Sequence, residues 1–120
     1  MSITRINPKC DFDPKQNGSF IDFGKGLRFA AFNAGSKAVA ANSRLVVDID
    51  ISSAEFKTVL SVVPTLGIGA STSAPGSTQI GGVNAYTDGQ STYQRFRCSL
   101  YNASGSSLNL YPNVLIIGIV

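Results

Sequence analysis

Two aspartates, Asp48 and Asp50, are the side chains in this 120-residue sequence whose spacing best suits chemistry. They lie two residues apart in a segment that alternates apolar and polar residues, so both project from one face of a predicted strand, about 7 Å apart. That separation suits a paired-carboxylate hydrolase or a weak cation site. Because no further cluster of ligand residues accompanies them, we interpret both as polar residues on the solvent face of an amphipathic strand.

The remaining residue types argue against catalysis. Histidine is absent, which removes the commonest general base and the commonest metal ligand. Cys10 and Cys98 cannot form a structural zinc site without histidine, and in a reducing compartment we expect two free thiols rather than a disulfide. The segment at residues 11–18 begins like a calcium loop, but Lys15 and Gln16 occupy positions that need a ligand and a glycine. The sequence therefore predicts no enzyme, no metal and no cofactor.

A second candidate site combines aromatic and basic residues. Arg95 and Arg97 share one face of a predicted strand, and we place Tyr93 and Tyr101 on the same face. This candidate ligand face would suit a carbohydrate or receptor, although tyrosine also commonly covers the edge of a core. The other basic residues are scattered and the net charge is only +3, so no nucleic-acid partner is expected.

Alternating apolar and polar residues predict strands along most of the chain. The clearest segments are residues 44–52 and 93–101, and shorter strands are predicted at residues 3–6, 19–23, 27–33, 65–69 and 79–86. The loop at residues 102–106 and the extended residues 108–111 predict a hairpin with the preceding strand. Residues 52–55 match a capping box, which predicts at most one or two helical turns. We therefore predict one all-β domain over residues 1–120, an antiparallel β-sandwich or a jelly-roll-like barrel with at most one short helix.

Two uncharged segments are predicted to form an interface. The chain ends in an almost continuously apolar strand, and such a strand is normally covered on both faces, either within its own fold or by a neighbouring subunit. Residues 58–87 contain no charged residue and include a loop of small residues around Pro75. The predicted interface residues are Gly69, Ala70, Ser71, Pro75, Val114, Leu115, Ile116, Ile117, Ile119 and Val120.

These features favour a structural subunit over an enzyme. We predict an assembly protein that packs against itself, as a homo-oligomer, or against a larger scaffold such as a capsid protein. A virion cement, decoration or minor coat subunit of a phage fits this description, by analogy with small β-rich structural proteins. A carbohydrate- or receptor-binding β-sandwich is the alternative. The sequence contains no signal peptide and no membrane helix, so synthesis in the cytoplasm and location in the virion are expected.

Overall fold

The computed structural model describes residues 9–12, 18–68 and 78–120 of the chain. These residues form nine strands and one turn of 3₁₀ helix, Ser52–Ala54. The strands are β1 (Lys9–Phe12), β2 (Gly18–Gly24), β3 (Leu27–Asn33), β4 (Lys37–Val39), β5 (Ser43–Asp50), β6 (Thr58–Ile68), β7 (Thr78–Tyr86), β8 (Arg95–Asn102) and β9 (Leu108–Ile119). The predicted strand at residues 3–6 lies outside the described residues.

The larger sheet, sheet A, is organised around β9. Strands β1, β2, β3 and β9 follow one another across the sheet, and β6 pairs with the opposite side of β9. The short strand β4 continues along the β3 side and pairs with the beginning of β9. The apolar final strand is therefore central in its sheet, with hydrogen-bonded neighbours on both sides.

The smaller sheet, sheet B, contains three strands in the order β5–β8–β7. Every strand pair in both sheets is antiparallel. The two sheets form a sandwich and not a closed barrel, which confirms the predicted all-β class and selects the sandwich from the two predicted architectures.

The core lies between the inner faces of the two sheets. In β8 and β9 every second residue is buried, as expected for strands with one face against a core. The same cluster includes Ile51, Ala54 and Phe56 from the segment that links the sheets. The other buried apolar residues are Ala30, Phe32, Val39, Val47, Ile49, Phe96, Cys98, Leu100, Leu110, Val114 and Ile116.

The predicted hairpin after residue 101 is wrong. Strand β8 belongs to sheet B and β9 to sheet A, so the intervening loop crosses from one layer of the sandwich to the other. Asn102 holds this crossing: its Nδ2 donates to the carbonyl oxygens of Val39, Ala40 and Ser106 at 2.8–3.2 Å. The turn-forming residues in the loop indicated a reversal of the chain but contained no information about which sheet the chain enters.

The predicted short helix is a single 3₁₀ turn. Glu55 ends it in the left-handed conformation, with φ of 56°, and the Asp50 carboxylate accepts a hydrogen bond from the Ser52 N–H. The β-branched residues that follow form the eleven-residue strand β6 rather than further helix. Among the described residues, no helix is long and apolar enough to cross a membrane.

Candidate functional site

The outer face of sheet B carries a network of ion pairs. Strand register places Asp48 opposite Arg97 and Asp50 opposite Arg95. The Arg97 guanidinium donates through Nε and Nη2 to the two oxygens of Asp48, at 2.7 and 3.0 Å. Arg95 Nε lies 2.9 Å from Asp88 Oδ2. Arg95 and Arg97 are therefore both paired with carboxylates, which argues further against a contact between them and a nucleic-acid phosphate.

Tyr86 closes this network from the edge strand β7. Its hydroxyl donates to Asp48 Oδ2 at 3.3 Å, and the Arg97 guanidinium carbon lies 5.3 Å from the centre of its ring. This second contact is a cation–π geometry. Arg97 of β8 and Tyr86 of β7 therefore both contact Asp48 of β5, so each strand of sheet B contributes one side chain to the network.

The two aspartates have the wrong acid–base properties for a general acid. The hydrogen bonds from Arg97 hold the pKa of Asp48 below its ordinary value. The hydroxyl and N–H of Ser52 likewise lower the pKa of Asp50. A carboxyl that donates a proton near neutral pH needs a raised pKa, so the interpretation of this pair as solvent-face residues in an ion-pair network fits the geometry better than a hydrolase does.

A polar recess opens beside the network. Its volume is about 440 Å³, within the range of small-molecule sites. The lining combines carboxylates, two primary amides, a hydroxyl and one guanidinium, from residues Asp48, Asp50, Ser52, Asp88, Gln90, Gln94 and Arg95. Within the described ranges, no three His, Cys, Asp or Glu side chains are grouped so as to hold a metal ion.

The predicted ligand face is only partly assembled. Arg95, Arg97 and Tyr101 do project from one face of β8, and Tyr101 is 37% exposed. Tyr93 does not join them, because it precedes β8, its N–H donates to the Phe56 carbonyl, and its ring packs against the core. The prediction that Tyr93 belongs to this face is therefore wrong. Tyr86, which the sequence analysis did not place there, is the tyrosine that contacts Asp48 on this face.

The outer face of sheet A is uncharged and mostly apolar, with the polar residues Thr58 and Ser61 of β6 opposite Ile119 and Ile117. Three rows of cross-strand neighbours, fixed by the strand register, carry its side chains. We define the outer face of sheet A by these nine apolar residues: Ile21, Phe23, Leu27, Phe29, Ala31, Val63, Leu115, Ile117 and Ile119. Ile21, Val63 and Leu115 are 37–46% exposed, and the rings of Phe23 and Phe29 pack 4.7 Å apart.

Strand β9 divides its predicted interface residues between two faces. Val114 and Ile116 are 2% and 0% exposed and lie in the core, so their side chains are not available to a neighbouring molecule. Their assignment to an interface is corrected: they alternate with the surface residues because a strand turns successive side chains to opposite faces. Leu115, Ile117 and Ile119 lie on the outer face, where an interface stays a prediction.

The other predicted interface residues have different outcomes. Val120 packs partly against the core, and its N–H donates to the Gly26 carbonyl at 2.8 Å. The predicted contact loop lies outside the described residues, and with it Gly69, Ala70, Ser71 and Pro75. Cys98 is a buried free thiol, and burial raises its pKa; its core position makes it an inert packing residue.

Known proteins resemble this chain only in fold. No family model matches the sequence, and no curated protein matches it. A C-terminal portion of the R1 pyocin fibre of P. aeruginosa superposes on 94% of the chain with a TM-score of 0.69, at 13% sequence identity. An N-truncated R1-type pyocin tail fibre superposes on 94% with a TM-score of 0.66, at 12% identity. The chain covers 28% of the first structure and 86% of the second.

Sequence reasoning missed the contribution of β2 and β3 to the apolar outer face. A signal was present: Phe20, Ile21 and Phe23 put apolar residues on both faces of β2. Strand β3 is similar, with Leu27, Phe29 and Ala31 outside and Ala30 and Phe32 inside. A strand that is apolar on both faces calls for a cover on both, and this holds for β2 and β3 as it does for β9.

Proposed function

We propose that this chain is a non-catalytic structural component of a phage-like particle and that it belongs to the tail fibre. The observation that carries the proposal is the division of the sandwich into an uncharged apolar outer face on sheet A and a charged outer face on sheet B. Such a molecule is built to pack against protein on one side and to meet solvent or a ligand on the other. The resemblance of the fold to pyocin fibre pieces supports the fibre over the capsid shell.

The absence of catalysis is part of the same proposal. The carboxylates best spaced for hydrolysis, Asp48 and Asp50, are already engaged by Arg97 and Ser52, with their pKa values lowered. A double Asp48→Asn, Asp50→Asn variant should therefore still assemble into particles with unchanged infectivity or killing. A loss of that activity, with both assembly and glycan binding intact, would reveal a chemical role.

The location can be tested on whole particles. Particles purified from the strain that encodes the chain are labelled with an antibody against it and imaged by negative-stain electron microscopy. Label on the tail fibres is the expected result. Label on the shell would instead support the cement or decoration role that the sequence favoured, and particles that lack the chain by mass spectrometry would overturn both.

Receptor binding is a second candidate function, and the polar recess on sheet B favours it. Its carboxylates, amides and guanidinium offer both acceptors and donors to a hydroxyl-rich ligand such as a cell-surface glycan. Gln90→Ala removes an exposed amide from the recess. Arg44→Ala is the control for neutral glycans, because Arg44 lies on the same face of sheet B but about 13 Å from Asp48 along β5. On a glycan array, binding that is lost with the first variant and kept with the second would support this function, and no binding by the unmodified chain would oppose it.

A further inference from the structure

A second recess lies on the outer face of sheet B, at the other end of the sheet from the Asp50–Arg95 row. This Arg44 recess has a volume of about 330 Å³, at the lower end of the range for small-molecule sites. It is lined by Arg44, Gln79, Ile80, Gly81, Gly82, Ser99 and Tyr101. None of these residues also lines the recess beside Asp48, so the two recesses are separate candidate sites.

The shape of the Arg44 recess follows from two cross-strand rows. The strand register places Arg44, Tyr101 and Gln79 side by side on β5, β8 and β7. In the next row, Ser99 of β8 lies opposite Gly81 of β7. Because these two residues are small, the long side chains of the first row stand above a low floor. The Ser99 hydroxyl donates to the Gly81 carbonyl oxygen at 3.0 Å, which holds this floor in place.

A β-bulge in β7 borders the Arg44 recess. The register shifts between Gly81 and Asn84, and Gly82 within the shift has φ of 59°, in the left-handed region. A Cβ at Gly82 would also lie 3.0 Å from Ser99 Oγ, so both the backbone conformation and the available space favour glycine here. Bulges are common next to functional sites, where they redirect the strand.

Arg44 brings a charge that the described part of the protein does not neutralise. On the same face, Arg95 and Arg97 are paired with carboxylates, whereas Arg44 forms no ion pair with any described residue. Asp48 is four residues away on β5, a distance of about 13 Å. A guanidinium presents a planar pair of N–H donors that matches a carboxylate or a phosphate. The exposed ring of Tyr101 lies beside it and offers an apolar surface with a polar hydroxyl.

We propose that the Arg44 recess binds an anionic sugar, one that carries a carboxylate or a phosphate. Arg44 binds the anionic group, the Tyr101 ring packs against the C–H groups of the sugar ring, and the Gln79 amide forms hydrogen bonds with its hydroxyls. The recess beside Asp48 is lined by three carboxylates and one guanidinium, a balance that disfavours an anion and suits neutral ligands, for which Arg44 is not needed. The inference deepens the receptor-binding function proposed above and rests on it for its biological use.

The test is a titration of the ¹⁵N-labelled chain followed by two-dimensional NMR, with glucuronic acid, glucose 6-phosphate, glucose and inorganic phosphate as probes. We expect glucuronic acid or glucose 6-phosphate to shift the amide signals of residues 44, 79, 82 and 101 in a saturable way. Glucose and inorganic phosphate should bind at least about tenfold more weakly, because each lacks one half of the recognised group. The tighter of the two acidic probes distinguishes a carboxylate-bearing from a phosphate-bearing ligand.

Three variants complete the test. Arg44→Gln should weaken binding of the acidic sugar at least about tenfold, because the amide keeps hydrogen-bonding groups and loses the charge. Tyr101→Ala should also weaken it, since the surface for the sugar ring is removed. Lys57→Gln is the matched control: it removes one exposed cation outside the recess and should leave the affinity unchanged. The spectra themselves report whether each variant is folded.

No shifts at all would overturn the proposal, and so would saturable shifts that survive Arg44→Gln. Equal affinity for glucose or for inorganic phosphate would also overturn it, and an equal loss in Lys57→Gln would reveal attraction by net charge alone. Shifts confined to residues 50, 90 and 94 would locate the sugar in the recess beside Asp48, which refutes the Arg44 recess and supports the receptor function. Antibody label on the tail fibres is independent of all these results, so the structural role and this site fail separately.

Discussion

Asn102 shows how a single polar side chain fixes the path of the chain. It is fully buried, and all of its polar atoms have partners: Nδ2 donates to three carbonyl oxygens, and Oδ1 accepts from the N–H and hydroxyl of Ser104. The residue also begins a glycosylation sequon, Asn102-Ala103-Ser104. Because the amide is enclosed, the folded protein offers no acceptor there, and the role of the residue is structural.

Asn102→Ala should lower the free energy of unfolding by about 3 kcal/mol, because several buried groups lose their partner at once. Urea denaturation with circular dichroism measures the change. Asn109→Ala is the control: this asparagine is exposed on β9, and its replacement should stay within about 0.5 kcal/mol of the unmodified protein. Equal midpoints for the two variants would show that the crossing does not depend on the buried amide.

Asp48 gives the stability a defined pH dependence. Its pKa is lowered in the folded state by the Arg97 hydrogen bonds, so its contribution is present above about pH 3.9, the value for an unfolded aspartate, and is lost as pH falls through the folded pKa. Asp48→Asn should therefore be less stable at neutral pH, with the gap closing below about pH 4. The effect should be modest and should shrink with added salt, because the pair is solvent-accessible. Urea midpoints measured between neutral and acid pH test this, and a gap that widens in acid would contradict it.

At the scale of the element, β9 depends on a glycine near its C-terminal end, Gly118. A Cβ at Gly118 would lie 2.5 Å from both the Phe56 ring and the Thr58 carbonyl oxygen. The absence of a side chain therefore lets the buried Phe56 ring pack directly on the central strand. This close approach is also where β6 pairs with β9, at the start of its register shift.

Gly118→Ala should destabilise the fold by about 1–3 kcal/mol, because the Phe56 ring or the neighbouring strand must move. Gly105→Ala is a matched control, since a Cβ there meets no atom within 4 Å. Thermal unfolding of the two variants should give a lowered Tm only for the first. A similar Tm for both would mean that the ring relocates without cost.

The strands were predictable where one face is polar. Residues 44–52 and 93–101 alternate cleanly, and the structure places β5 and β8 there. The length of β6 was not predictable, because the sequence indicates a strand only from residue 65 and a capping box at residues 52–55 precedes it, although the β-branched residues 58–63 already limit any helix to one or two turns. Pairing with β9 at ten positions decides in favour of the strand. The paired residues are 42 to 61 positions apart in the chain, and contacts at such a separation produce no pattern in the local sequence.

The candidate sites were predictable only in part, for the same reason. The sequence places Arg95 and Arg97 on one face, but it does not show that Asp48 lies opposite Arg97 or that Tyr86 reaches the same carboxylate. Likewise the apolar C-terminal strand was evident, while the rows that extend its outer side across β2, β3 and β6 depend on strand order. Long-range register is a tertiary property, and periodicity alone does not encode it.

At the scale of the whole molecule, the sandwich separates its surface by sheet. Sheet A combines a buried inner face with an uncharged outer face, and sheet B combines the same core with an ion-pair network and a polar recess. A fibre needs both properties, because its subunits must hold together along one surface and present another. The division assigns the proposed assembly and the proposed ligand contact to opposite sides, so a variant on one side should leave the other intact.

Two adjacent isoleucines of β9 test this division in thermodynamic terms. Ile116 is fully buried, so Ile116→Ala should cost about 2–5 kcal/mol at every protein concentration. Ile117 lies on the outer face, so Ile117→Ala should weaken mainly the association, and its effect on Tm should grow with protein concentration, because only the assembled state gains stability by mass action. Thermal unfolding over a dilution series separates the two cases. At high dilution the Tm of Ile117→Ala should approach that of the unmodified chain, whereas the Tm of Ile116→Ala should stay low. If both variants lower the Tm equally in dilute solution, both side chains belong to the core of the monomer.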